Sequence, residues 1–193
     1  MKLASNQLFP VILLSLLAGL TFLLQNAVDH ENPTSNGKLR HDPDAMAENF
    51  EIRRFDENGQ LKYRLQAPYL VHFPDDDSSE LRNPRLLALR DHGEPLELQA
   101  RNARASSNGE TVYLWDEVTA TRPGSPGQAT TIARMPDLTV QPDLGYGFTA
   151  SPVRIEQGAS WLQGTGMRLD NNAATFTLLS QVQGSHIRQR DPQ

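Results

Sequence analysis

Not one cysteine occurs in the 193 residues, which excludes disulfides, thiol catalysis, iron–sulfur clusters and thiolate zinc sites together. It also excludes the lipid-modified cysteine of a lipoprotein, and it is compatible with an oxidising compartment such as a periplasm. Positive charge is scarce and scattered. The 18 Lys and Arg are outnumbered by 23 Asp and Glu, giving a net charge of -5, so the concentrated basic face of a nucleic-acid partner is missing. Hydrophobic residues make up 38% of the chain and cluster near its start, leaving the remainder too lean for a thick globular core. Alternating strands of a thin sandwich need less apolar mass, because only every second residue is buried. Past Val28 no segment carries a convincing helical apolar period.

Catalytic and metal-binding patterns are equally thin. The five histidines, His30, His41, His72, His92 and His186, show no H-x-x-H or H-E-x-x-H spacing, so no zinc site is expected. Asp75, Asp76 and Asp77 are adjacent and lack the alternating ligands and glycine of a calcium loop, which makes them a solvated turn. Gly124-Ser125-Pro126-Gly127 is a turn and not a nucleophile elbow. The chain therefore reads as a non-enzyme, with no metal and no cofactor.

What is present begins with Leu8 to Leu24 (LFPVILLSLLAGLTFLL), a run of 17 uncharged, mostly apolar residues. As a helix its 17 residues would span roughly 26 Å at about 1.5 Å rise, and extension to Val28 completes a bilayer core of about 30 Å. A cleaved signal peptide fits less well, since cutting after Ala27 would put Gln25 where a small side chain is needed. Residues 1–7 are expected in the cytoplasm, 8–28 as a transmembrane helix, 29–45 as a linker, 46–188 as one β-domain and 189–193 as a tail.

A repeat organises the domain. Displaced by 64 residues, Leu98 to Ala120 falls on Leu162 to Gly184 without a gap, and seven of 23 pairs are identical where unrelated stretches would share roughly one or two. Leu65 to Leu81 forms a shorter third copy 33 residues earlier. Such spacing means one supersecondary unit stacked on its neighbours, here a pair of strands. Asn58-Gly59 between two strand-like runs signals a hairpin whose two central residues tolerate positive φ. Further turn signals separate about ten short strands. Val112, Leu114, Val118 and Ala120 share one face, broken at Asp116, and Phe176, Leu178, Val182 and Gly184 repeat this with a break at Ser180. Stacked in register, these faces predict a long apolar interior: an all-β twisted sandwich of repeated hairpins behind one N-terminal helix.

The single anchor, the hairpin Asp56-Glu57-Asn58-Gly59 with Tyr63-Arg64-Leu65, the run Phe73-Pro74-Asp75-Asp76-Asp77 and Gly164-Thr165-Gly166-Met167 occur in an order that resembles the LptC family over essentially the whole chain. This is the bitopic inner-membrane family of the Gram-negative lipopolysaccharide export system. The resemblance implies an open periplasmic β-jellyroll of the LptA type that holds acyl chains. It implies receipt of lipopolysaccharide from the transporter of LptF, LptG and the ATPase LptB, and transfer to periplasmic LptA. Docking through sheet edges is implied as well, with the transporter near Phe50 to Arg54 and LptA near Trp161 to Val182.

Lipid contact is expected at Phe50, Ile52, Leu65, Ala67, Leu81, Val112, Leu114, Val118, Phe148 and Leu178, each of which would serve equally in a sealed core. Gly59, Gly164 and Gly166 are expected at partner-docking ends or as ordinary turn and bulge glycines. Two rival readings remain at this point. One is a membrane-tethered adaptor with a closed sandwich that only docks proteins. The other is a glycan hydrolase, which would need paired acids about 5 to 9 Å apart in a cleft.

Overall fold

A computed structural model describes residues 13–25, 41–90 and 93–186. The chain divides into two units, Met1–His41 and Asp42–Gln193. In the first unit residues 13–25 form a helix, α1, whose leucines and Phe22 are exposed. Thr21 donates its hydroxyl to the Leu17 carbonyl (2.9 Å), so the polar side chain on this apolar helix is satisfied internally. Among the described residues no helix is long and apolar enough to cross a membrane. The expected span 8–28 has both its ends outside the described residues, as do the expected cytoplasmic residues 1–7, most of the linker, the tail 189–193 and the turn residue His92.

The second unit is all-β. Its strands are β1 (Ala45–Phe55), β2 (Leu61–Phe73), β3 (Ser78–Arg82), β4 (Arg85–Ala88), β5 (Leu96–Gln99), β6 (Asn102–Ala105), β7 (Val112–Arg122), β8 (Thr131–Gln141), β9 (Tyr146–Gln157), β10 (Ser160–Asp170) and β11 (Thr175–Ser185). All pairings are antiparallel, in the order β11-β10-β9-β8-β7-β5-β4-β2-β3-β6, with β1 on β2 and β6 also on β7. Seven of the strands run 11 residues or more, so the expectation of uniformly short strands is corrected. Two of them change partner along their length: β2 pairs β4 and then β3, and β7 pairs β6 and then β5.

The bends have local causes. Asp116 and Glu117 take positive φ (61° and 59°) where the β7–β8 register shifts, and Gln181 and Gly166 do the same in β11 and β10 (51° and 76°). An extra residue at such a bulge turns the strand and preserves which side chains face inward. Val112 and Leu114 before the bend and Val118 and Ala120 after it all join one buried cluster. The sheet is thus folded over itself around a thin apolar layer.

The 64-residue repeat is a repeat of ladder register. Leu98 pairs with Ala120 as Leu162 pairs with Gly184, and Ala103 with Leu114 as Met167 with Leu178. Glu117 and Gln181, at equivalent places, share the left-handed backbone. The third copy keeps the pattern in Leu70 with Leu81 and slips by one residue at Leu65 with Leu86.

At the first hairpin Gly59 alone takes positive φ (76°), with Asp56 N–H bonded to Gln60 O and Gly59 N–H to Asp56 O. The Asn58-Gly59 pair therefore builds a three-residue loop closed by a left-handed glycine, not the expected turn with both residues at positive φ.

Candidate functional site: the sandwich interior and its mouth

At the centre the interior is filled. Ala103, Val118, Ala120, Ala133, Leu138 and Met167 are all 0% exposed. Ala120 sits directly opposite Ala133 and Leu114 opposite Leu138, so small side chains pair with small ones and large with large across neighbouring strands. Ala67, Leu81, Val112, Leu114 and Val118, five of the expected lipid contacts, are buried here, and Phe50, Leu65 and Leu178 pack against the cluster half-buried.

Toward the two edge strands the same inward face becomes open. Ile52 pairs with Leu65, whose other partner Leu86 is core, yet Ile52 on edge strand β1 is 46% exposed. At the opposite end Leu162 lies between core Ile155 and Gly184 and is 47% exposed, because the glycine on β11 offers nothing to cover it. The inward expectation is corrected for Phe148: Gly147 and Thr149 on either side are buried, so the alternation of β9 turns Phe148 outward, where its ring lies 6.2 Å from Tyr146.

Gly164 and Gly166 have intramolecular reasons. A Cβ at Gly164 would meet the Ser180 carbonyl oxygen at 2.9 Å, and one at Gly166 would meet the Leu179 side chain from a left-handed backbone. Both let β11 approach β10 at its bend. At Gly59 a Cβ would meet nothing, and only the φ requires glycine.

Opposite the bends the layers end in turns that face one another, and this mouth is bridged by polar contacts. Lys62 donates to the Asp143 carbonyl (2.6 Å), and Arg54 and Lys62 also face the Asp143 carboxylate at 3.8 and 4.0 Å. Asn171 donates to the Leu89 carbonyl (3.2 Å) and accepts from Arg122 (2.9 Å), whose guanidinium carbon lies 5.5 Å from the centre of the Phe176 ring. Arg122 and Asn171 are 9% and 2% exposed. Neither was expected at the interior. The signal was present in parity, since Arg122 follows Ala120 by two residues and so must point the same way.

A larger concavity, about 1190 Å³, lies elsewhere, bordered both by core Ala100, Val118, Met135 and Val153 and by polar Gln99, Thr119, Arg134, Arg154 and Gln163. Arg134 and Arg154 both pair with Glu156 beside it. Apolar core side chains and polar ones therefore share this concavity, which opens onto the same interior.

One polar tie positions the edge strand β1. His72 places Nδ1 2.7 Å from Asp44 and Nε2 2.9 Å from Asp77, and these hydrogen bonds, Asp44 first, raise its pKa above the ordinary histidine value. A raised folded-state pKa gives stabilisation that is complete below the unfolded value of about 6.5 and is lost as pH rises through the folded one. Amide exchange at Ala45 to Glu48, corrected for intrinsic rates, is therefore expected to quicken as pH rises above neutrality. In His72→Gln that extra dependence should vanish; an identical pH profile in both proteins would show that the tie does not hold β1.

Comparison with known proteins adds three findings. The family described as "Lipopolysaccharide-assembly, LptC-related" matches residues 11–187. No curated protein matches the chain. Among solved structures, the periplasmic LptH of Pseudomonas aeruginosa, described as homologous to LptA within a conserved lipopolysaccharide transport device, superposes with a TM-score of 0.51 at 11% identity, covering 65% of this chain and 95% of that one. At that identity the likeness establishes the LptA-like jellyroll fold. The family match, spanning bends, mouth and both edge strands, carries the remaining conclusion: this chain is a member of the LptC-related family of non-enzymatic lipopolysaccharide transport proteins.

Proposed function

We propose that the protein is a relay station for lipopolysaccharide, anchored in the inner membrane by the apolar segment around α1, with its jellyroll in the periplasm. In this reading it receives the lipid from the LptF–LptG transporter driven by LptB and passes it to LptA. The observation that carries the reading is the inward apolar face that runs through the core and emerges uncovered at both edge strands, at Ile52 and at Leu162. Each methylene gains about 0.8 kcal/mol on leaving water, so a lipid with several acyl chains needs such a covered path. The free outer edges of β1 and β11 offer unpaired backbone groups for jellyrolls on either side. Exposed leucines along α1 favour a lipid surround for that helix.

The test is photo-crosslinking in cells. A photoreactive residue replacing buried Leu114 is expected to label lipopolysaccharide, and one replacing outward Tyr113 is not. Equal labelling from both positions would overturn the reading.

One observation favours the tethered adaptor instead: the centre of the sandwich is packed shut. For the relay reading to hold, the layers must part to admit a chain, and the polar bridges of the mouth are where parting is cheapest. Each exchanges a protein hydrogen bond for one to water, a net of about 0.5–1.5 kcal/mol.

A further inference from the structure

We propose that the larger concavity is a glycan site, built on one row of polar side chains that crosses six strands and suited to a sugar chain carrying carboxylates. The ladder registers put Gln99 opposite Thr119, Thr119 opposite Arg134, Arg134 opposite Arg154, Arg154 opposite Gln163 and Gln163 opposite Gln183. All six border the space of about 1190 Å³. They alternate along their strands with core residues such as Ala100, Val118, Met135 and Val153, so positions of opposite parity give the concavity its polar wall and its apolar margin.

Adjacent strands lie about 4.8 Å apart, so the row runs for about 24 Å and repeats a polar group at close to the pitch of a hexose chain. Amide, hydroxyl and guanidinium groups together donate and accept, as a ligand rich in hydroxyls requires. Gln99 donates to Glu97 (2.7 Å) and Gln163 to Gln183 (3.3 Å), whereas each amide has two N–H groups and an acceptor oxygen to offer. At the middle of the row Arg134 and Arg154 share one carboxylate, Glu156, and each guanidinium keeps further N–H groups for a ligand. The Trp161 ring lies 4.9 Å from the Arg154 guanidinium carbon and supports that fork. The other charges cancel: Arg101 pairs with Glu117 on the border (2.6 Å), and Glu97 at the end of the row pairs with Arg85 (2.6 Å). Two guanidiniums against one carboxylate leave one positive charge at the centre, which selects an acidic sugar over a neutral one. The sugars belong either to a free polysaccharide or to the head of an amphiphile whose chains enter the interior onto which the concavity opens. The second source rests on the relay reading.

The experiment titrates the full chain, in neutral detergent micelles, with a hexamer of galacturonic acid followed by saturation-transfer NMR. Saturable binding is expected, weakened about tenfold or more by Arg134→Gln and by Arg154→Gln, and unchanged by Arg168→Gln, an exposed arginine beyond the bulge of β10. The side chains of Arg134 and Arg154 are about half exposed (50% and 47%), so their replacement leaves the core intact. Gln163→Ala removes an amide without changing the charge, and its several-fold weaker binding separates recognition from bulk attraction. The uncharged methyl ester of the same hexamer should bind about tenfold more weakly than the acid. Intact lipopolysaccharide, and its lipid moiety freed of the outer sugars, then separate the sources. Weaker binding of the intact form alone in Arg134→Gln assigns the site to the head of the transported lipid. Unchanged binding of both lipids, with the hexamer weakened, assigns it to a free glycan, and hexamer binding where neither lipid binds removes the relay reading but leaves the site. Absence of saturable hexamer binding, equal affinity for acid and ester, or full affinity in all three row variants overturns the proposal.

Discussion

Tying the mouth shut is expected to reduce uptake of an acyl probe at least about tenfold, the effect of disfavouring the parted state by about 1.4 kcal/mol or more. Lys62→Cys together with Asp143→Cys places two thiols where the Lys62 amine now meets the Asp143 carbonyl, one residue on each layer. Because the chain has no cysteine of its own, a short bis-maleimide joins only these two. The comparison is between the tied and untied forms of the same double variant, so loss of the native contact is common to both. Fluorescence of a lipid-bound acyl dye reports uptake. A centre whose core side chains are fully excluded from water has no standing space for several chains, so the layers must separate by about one chain diameter. In the relay reading the bulged bends would act as the hinge and the polar bridges as the clasp. Equal uptake by tied and untied protein would refute lateral entry and direct the lipid instead through the open ends at Ile52 and Leu162.

Why the ends and not the mouth could be read from the sequence follows from what a sheet repeats. Register is set by alternation and bulges, both local, so the 64-residue displacement already encoded Leu98 with Ala120 and Leu162 with Gly184. Parity likewise placed Val112, Leu114, Val118 and Ala120 on one buried face. Phe148 was misplaced because its hydrophobicity was weighed without the parity of Gly147 and Thr149. Gly164 and Gly166, expected at a docking end or as bulge glycines, bend a continuous β10. The mouth depends on meetings between residues about 50 to 80 positions apart, such as Arg122 with Asn171 and Lys62 with Asp143, and no periodic signal encodes those. Polarity on an inward position was the available hint at Arg122. It marks the place where a thin core gives way to a charged rim.

Leu138→Ala probes whether the filled centre is a sealed core or a displaceable one. Leu138 is fully buried on β8, opposite Leu114, and a leucine-to-alanine change at such a site costs about 2–5 kcal/mol, from lost burial and from the cavity left behind. Thermal denaturation should show a midpoint lower by roughly 5–15 °C for a domain of this size. The two functional readings then part. In a relay, an acyl chain must first push Leu138 and its neighbours aside, so removing part of that side chain lowers the work of entry, and the acyl probe should bind at least as well despite the weaker fold. In a closed adaptor the probe has no place in either protein. Uptake that is absent in the wild type and stays absent in the variant, measured well below both melting midpoints, would end the relay reading. A variant that melts early yet fills more readily would establish that the side chains at the centre are the groups a travelling lipid replaces.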